Sequence, residues 1–275
     1  MPVSTVATPL RLPNGFEVCQ LCRENTLITY RDIFEDGIYD EPTSSLENGD
    51  VVFDVGANIG LFLLYLNGLG RRLAVYAFEP IPDVFAALEA NARKCDRLES
   101  RLYHAGASDR TGQATFTFYP KTSTSSSMYP DESPEAHAES NAFIRSEMQK
   151  VFFGIVTLMP RWLVDFWAER LRRRYQASAV VQCPLLRVSD VIRQEGVTRI
   201  DLLKLDVEGA EFDCVAGIDA DHWPMIRRAV IEIHGGAADC DRMEDILTRH
   251  GLAVRRRQLF PDLLPRIYLI YAQRP

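Results

Sequence analysis

Three short stretches hold the residues best suited to chemistry. The first, Asp54-Val55-Gly56-Ala57-Asn58-Ile59-Gly60, begins inside the apolar run Val51–Val55 and leads into the apolar stretch Leu61–Leu66. Glycines in such a turn let the backbone bend sharply and approach a ligand without Cβ clashes. The second is Glu79, 25 residues after Asp54, in Ala77-Phe78-Glu79-Pro80. An acid at the end of a second strand can accept hydrogen bonds from ribose hydroxyls. The alternative use of Glu79 is to cap the helix that follows. The third is the alternation Lys204, Asp206, Glu208, with Glu232 and His234 downstream. A period of two puts each set on one side of its strand.

The glycine spacing discriminates among ligands. A nicotinamide-binding loop carries G-x-G-x-x-G, because its pyrophosphate rests on a helix N-terminus. Here the spacing is G-x-x-x-G, with Asp54 just before it. A carboxylate at that place suits an ammonium group, or water around one, better than a pyrophosphate. The expected cofactor is cationic at one end and free of phosphates. S-adenosyl-L-methionine has that character, with S-adenosyl-L-homocysteine as its product.

Methyl transfer is an in-line displacement, so an acceptor oxygen must sit about 3 Å from the methyl carbon. A hydroxyl acceptor must also lose its proton, whereas a carboxylate acceptor needs no base. His234 is the leading base candidate, since an ordinary imidazole titrates near neutrality. Asp206 would position acceptor or cofactor, and Lys204 would neutralise a carboxylate such as Glu232. The competing reading is a structural ion-pair cluster. Asp206, Glu208, Glu232 and His234 are also permissive ligands for a hard divalent ion. Their spacing is no dedicated metal motif, so a metal-free site is expected.

The elements that must carry these residues alternate. Val51–Val55, Leu73–Phe78, Leu102–Ala107, Ile200–Val207 and Ala229–Ile233 read as strands. Asp83–Lys94, with Asp83 as N-cap, the start Glu211–Val215, and Arg242–His250 before Gly251 read as helices. Such alternation implies parallel pairing with right-handed crossovers. Ala253–Gln258 and Arg266–Tyr271 read as a closing antiparallel pair, and Ala114–Tyr119 as a half-exposed strand. Short strands are expected around Phe16–Val18 and Leu27–Ile28, and a helix or turn closed by Gly37 over Tyr30–Tyr39. Residues 120–180 break the rhythm. A Ser/Thr/Pro-rich loop, Lys121–Pro134, is followed by two apolar stripes separated by Pro160. The first holds Ile144, Met148, Val151, Phe152, Ile155 and Met159. The second holds Leu163, Phe166, Trp167 and Leu171. These read as two inserted amphipathic helices, rich in aromatics (Phe143, Phe152, Phe153, Trp162, Phe166, Trp167), that form a lid over the acceptor or merely pack on the sheet.

Composition narrows the partners. Of 275 residues, 47% are hydrophobic and 25% charged, enough for a packed core. A net charge of −7 repels a phosphate backbone, so nucleic-acid binding is not expected. Arg161, Arg170, Arg172, Arg173 and Arg174 form a local basic exception, read first as a solvated helix face and otherwise as a landing site for an acidic acyl carrier protein. The paired apolar stripes also allow a homodimer. No run is long enough to span a membrane. The six scattered cysteines and the absence of a secretory signal suggest a reducing cytoplasm, and the Cys19/Cys22 pair lacks the context of a zinc or redox site.

Taken together, VVFDVGANIG, YAFEP, AGASDRTG, IDLLKLDVEGAE and VIEIH resemble the FkbM family of methyltransferases, over about residues 30–118 and 181–271. The resemblance implies a class I methyltransferase fold: a doubly wound, Rossmann-like α/β domain with a mostly parallel seven-stranded sheet and an antiparallel edge. It implies O-methylation of polyketides, sugars or other natural products. Asp54, Gly56, Asn58 and Gly60 would surround the methionine end. Glu79 and Pro80 would lie at the ribose, Ala107 and Ser108 near the adenine, and Asp206 beside the cofactor. The expected organisation is an N-terminal extension over 1–45 packing on a methyltransferase domain over 46–275, with the helical insertion at about 120–180. N-methylation, a silent cofactor-binding protein and a nicotinamide oxidoreductase are the competing functions. The first is disfavoured by the missing Asn/Asp-Pro-Pro-Tyr/Phe motif, the second by intact acids, the third by glycine spacing.

Overall fold

The structure, a computed structural model, describes residues 7–131, 133–151, 159–175, 177–260 and 264–275. Phe152 and Ile155 of the first expected stripe, and Phe153 of the expected aromatics, lie outside them. A seven-stranded sheet forms the centre: β3 (Val51–Val55), β4 (Leu73–Phe78), β5 (Leu98–Tyr103), β9 (Leu202–Leu205), β10 (Arg228–Ile233), β11 (Ala253–Phe260) and β12 (Leu264–Gln273), in the order β11-β12-β10-β9-β3-β4-β5. β3 pairs in parallel with β4 and β9, β4 with β5, and β9 with β10. β12 is antiparallel to both β10 and β11. The antiparallel strand therefore sits one place in from the edge, with β11 outermost. This is the expected mostly parallel, doubly wound α/β architecture.

Strands buried on both faces read as continuous apolar runs, which is why the sequence shows them so clearly. Along β3 the side chains alternate between two cores. Val52 packs with Leu61, Leu63, Leu66 and Leu88, from α3 (Leu61–Gly68) and α4 (Pro82–Ala92). Phe53 and Val55 pack with Val188, Val191, Cys214, Met243 and Leu247, from α7 (Val188–Glu195), α8 (Glu211–Ala216) and α9 (Ala237–Arg249). Phe53 is fully buried between these layers. Truncating such a side chain to alanine costs about 3–5 kcal/mol.

Several boundaries differ from the sequence expectation for local reasons. Ile81, in extended conformation, is the N-cap of α4, and Pro82 opens the helix with its pre-set φ, so Asp83 falls in the first turn. Leu27 and Ile28 lie in a helix, α1 (Arg23–Tyr30), which runs into a π-turn over Arg31–Glu35 before Gly37. The third strand ends at Tyr103, and Gly106–Ala107 (β6) joins a separate three-stranded sheet with β7 (Gly112–Phe118) and β8 (Ala179–Leu186). β7 and β8 are antiparallel neighbours, so the chain leaves the core on one and returns on the other. The insertion hangs from that pair. Its helices are α5 (Pro134–Val151) and α6 (Arg161–Tyr175), joined by an Arg145–Asp165 ion pair at 2.8 Å.

The N-terminal segment contributes β1 (Thr8–Arg11), β2 (Glu17–Gln20), α1 and the short α2 (Asp40–Thr43). Asn91, fully buried on α4, docks it: Oδ1 accepts from Cys19 N at 2.7 Å, and Nδ2 donates to the carbonyls of Cys19 and Ile59.

Candidate active site

At the carboxyl ends of β3, β4, β9 and β10 lies a cavity of about 1050 Å³. Strand ends at a topological switch point are where doubly wound sheets bind ligands. One wall is the turn after β3. Gly56 has φ +81, and a Cβ there would stand 1.7 Å from the Asp206 carbonyl oxygen. Only glycine fits, so the turns after β3 and β9 meet backbone to backbone. Asn58 takes φ +49, a left-handed conformation that asparagine tolerates. Gly60 (φ +86) is the N-cap of α3 and packs under Leu88.

Glu79 fastens this turn to β4. Its Oε2 accepts from Asn58 N at 3.1 Å and its Oε1 from Ile81 N at 2.9 Å. It therefore tethers the turn and the start of α4 at once, with lone pairs left on both oxygens. Burial lifts its carboxyl to about 7, against the pull of the Ile81 and Asn58 amides.

The floor is a charge cluster. Lys204 Nζ lies 2.9 Å from Asp54 Oδ1, 3.0 Å from the Gly56 carbonyl oxygen and 3.8 Å from Asp206 Oδ2. His234 Nδ1 is 2.8 Å from Glu211 Oε1, and its Nε2 is 3.5 Å from both Glu208 Oε2 and Glu232 Oε1. Burial alone would lower the His234 imidazole. Glu208, Glu211 and Glu232 overcome it and hold His234 well above its ordinary value. Burial raises Asp206, with Glu232 adding to the rise and Lys204 and His234 opposing it. Burial likewise raises Glu208.

Lining residues from elsewhere close the cavity: Asn25 and Asp32 from the N-terminal segment, Phe143 and Met148 from α5, Leu171 and Tyr175 from α6. An Asn25–Thr124 side-chain hydrogen bond of 3.0 Å joins the N-terminal segment to the Ser/Thr-rich loop.

The sequence profile of the methyltransferase FkbM domain matches residues 54–253. The chain is 35% identical over 256 residues to 31-O-demethyl-FK506 methyltransferase FkbM of Streptomyces tacrolimicus, covering 93% of each. The chain belongs to the FkbM methyltransferase family. It is also 37% identical over 253 residues to AMB antimetabolite synthetase AmbE of Pseudomonas aeruginosa, a match spanning 90% of this chain and 12% of that synthetase. Methyltransferase sdnD of Sordaria araneosa is 29% identical over 236 residues, 82% of each chain.

In this FkbM-family enzyme, Gly56, Asn58, Glu79, Pro80, Ala107, Lys204, Asp206 and His234 all face the cavity. Asp54, Gly60 and Ser108 do not. Asp54 is fully buried behind Lys204, and Ser108 is buried with its hydroxyl on Asp109 at 3.1 Å. Lys204 pairs with Asp54 rather than with Glu232. The premise that His234 keeps an ordinary imidazole value is also corrected, because three carboxylates surround it.

Sequence reading missed Tyr39 and Phe62, whose rings flank Lys204 Nζ at 5.9 and 5.7 Å from their centroids. It missed Asn91, although an asparagine in register with Val84 and Leu88 on one helix face was a usable signal. It also missed Ser127, whose hydroxyl donates to the Glu208 carbonyl and pins the turn after β9. Glu211 was legible only as part of a helix start.

Proposed function

We propose that this methyltransferase uses S-adenosyl-L-methionine to methylate a hydroxyl of a small molecule with an apolar body, such as a polyketide or other natural-product intermediate. The supporting observation is one cavity with two unlike walls: a glycine turn fastened by Glu79 on one side, and apolar side chains of α5 and α6 on the other. The residues present fit the cofactor. Glu79 has acceptor capacity left for ribose hydroxyls, Pro80 and Ala107 offer apolar surface to the adenine, and Gly56 gives the cavity a wall with no side chain in the way. The cofactor supplies an electrophilic methyl group.

The protein's own work is to position the acceptor, exclude water and take a proton. A base must be free to receive that proton, and His234 already holds one. The hydroxyl proton passes instead to a carboxylate of the cluster. Asp206 is the best placed, facing the cavity with Lys204, 3.8 Å away, as its ion-pair partner. His234 then holds Glu208, Glu211 and Glu232 in place as their shared counter-ion.

The acceptor reaches the cavity beneath α5 and α6, which serve as its lid. The AmbE match, a small part of a synthetase, fits an acceptor carried on a partner domain. The exposed Arg170, Arg173 and Arg174 give α6 a positive end suited to an acidic carrier. No helix among the described residues is long and apolar enough to cross a membrane, and the six cysteines are free thiols, which suits a cytoplasmic enzyme.

Mass spectrometry of candidate acceptors incubated with enzyme and methyl-labelled cofactor tests this reading. The expected product gains one labelled methyl on oxygen. Label on nitrogen would replace the hydroxyl reading, and calorimetry showing no binding of the cofactor or its demethylated product would sink it. A second reading has an observation of its own: donor atoms of Asp206, Glu232 and His234 lie within 4.8 Å of one another, close enough to hold a cation. A protonated His234 has no lone pair to offer a cation, so turnover should change by less than about twofold in a strong chelator.

A further inference from the structure

The D-V-G-A-N-I-G motif invites the reading that its leading acid grips the cofactor's ammonium group. The geometry around Asp54 argues for a different use. Asp54 is fully buried and absent from the cavity wall. Its Oδ1 accepts from Lys204 at 2.9 Å, and its Oδ2 is sealed from solvent with no hydrogen-bond partner. An ammonium group in the cavity would meet Lys204 first, a cation of its own sign.

Lys204 is built into its place. Its side chain is 4% exposed. Two of its three ammonium hydrogens have acceptors, Asp54 Oδ1 and the Gly56 carbonyl, and the rings of Tyr39 and Phe62 flank the head group. The Gly56 carbonyl belongs to the residue whose Cα presses on the Asp206 backbone. One ammonium therefore ties the end of β3, the glycine turn and the end of β9 together, and Tyr39 brings the N-terminal segment to the same point.

We propose that Lys204 is a positioning residue for the cofactor turn, with Asp54 as its counter-ion, and that Asp54 acts on the cofactor only through Lys204. This rests on the S-adenosyl-L-methionine reading above. The ammonium of the bound nucleoside is left, not to Asp54 or to the proton acceptor Asp206, but to other, cavity-facing carboxylates. A neutral pair then behaves as a loosened turn, whereas a lost ammonium contact would behave as a lost charge.

The test uses the whole chain and two probes, S-adenosyl-L-homocysteine and its deaminated analogue, by calorimetry. Asp54→Asn and the neutral pair Asp54→Asn/Lys204→Met are compared with wild type. The double variant guards against misfolding, since Lys204→Met alone would strand a buried carboxylate. Both variants should weaken S-adenosyl-L-homocysteine by roughly 10- to 100-fold and by similar factors, because the two residues act as one unit. The penalty for removing the amino group should stay as large in Asp54→Asn as in wild type. Amide exchange should quicken over residues 55–60 and stay unchanged in β10 and α9, a pattern general destabilisation would not produce. An amino-group penalty that vanishes in Asp54→Asn overturns the inference, as does exchange that quickens throughout the sheet. Wild type that binds neither probe overturns the cofactor reading, and this inference with it.

Discussion

The two walls of the cavity are built on different physics. The cofactor wall is made of strand ends. Its shape comes from backbone atoms at van der Waals limits, positive φ at Gly56 and Asn58, and a buried Lys204–Asp54 pair. The wall proposed for the acceptor is made of the α5–α6 insertion, where side chains supply the surface and partly exposed ion pairs hold it. Arg266 ties it to β12 through Asp131 at 2.8 Å and Glu139 at 2.9 Å. Such pairs contribute only about 0–1 kcal/mol each. The difference teaches where change should be tolerated: substitution is tolerated where side chains make the surface, and not where backbone does.

Breaking the cofactor wall should therefore have the largest effect. In Gly56→Ala, a methyl group would have to occupy the space of the Asp206 carbonyl oxygen, 1.7 Å away, in a conformation L-residues avoid. Affinity for S-adenosyl-L-homocysteine should fall by at least about a hundredfold, or roughly 2.7 kcal/mol. Calorimetry checks it. Near-native affinity would mean that the strand ends yield more readily than their contact implies.

His234 stands where the two walls meet. His234→Ala removes the cation that positions three carboxylates, and turnover should drop by roughly 10²-fold. Stability sharpens the point. The folded-state value of His234 is raised, so its stabilisation is fully present below the unfolded value of about 6.5 and is lost as pH rises through the folded value. The melting-temperature gap between wild type and His234→Ala should be widest in mildly acidic solution and narrow towards alkaline pH. A gap that widens with pH would show a neutral imidazole and restore His234 as the free base.

The same contrast decides how much the sequence could tell. The parallel strands were legible because burial on both faces leaves unbroken apolar runs such as Val51–Val55. The cavity-facing residues Gly56, Asn58, Glu79 and Asp206 were legible because a turn and two strand ends fix them within a few residues of chain. Asp54 was misplaced because its partner, Lys204, lies 150 residues away, and local spacing says nothing of which acid a lysine will reach. His234 faces the cavity, but its proton affinity depends on Glu208 and Glu211, brought in by a turn whose Glu208 takes φ +52. β8 and α7, between the insertion and β9, went unread.

On the acceptor wall the effects should be smaller and confined to one ligand. Phe143 and Met148 of α5 face the cavity. Replacing both with alanine should raise KM for the acceptor about tenfold or more while S-adenosyl-L-homocysteine binds within about threefold of wild type. Deleting residues 135–175 should abolish acceptor binding and spare the cofactor. Loss of both ligands would show that the insertion holds up the cofactor wall too, and the contrast would fail.

The smallest effect belongs to the outer face of α6. Val164, Ala168 and Arg172 recur every four residues and are buried, whereas Trp162 is 70% exposed and Phe166 is 56% exposed. Burial sets the cost of truncation, so Trp162→Ser and Phe166→Ser should each change stability by no more than about 0.5 kcal/mol. Thermal melting at low and high protein concentration checks this. A concentration-dependent loss in the variants would mean that a second copy covers these rings in solution, and the acceptor wall would then owe part of its rigidity to a neighbour. An unchanged melt leaves α6 held from its inner face alone, as expected for a wall that can be exchanged without disturbing the sheet beneath it.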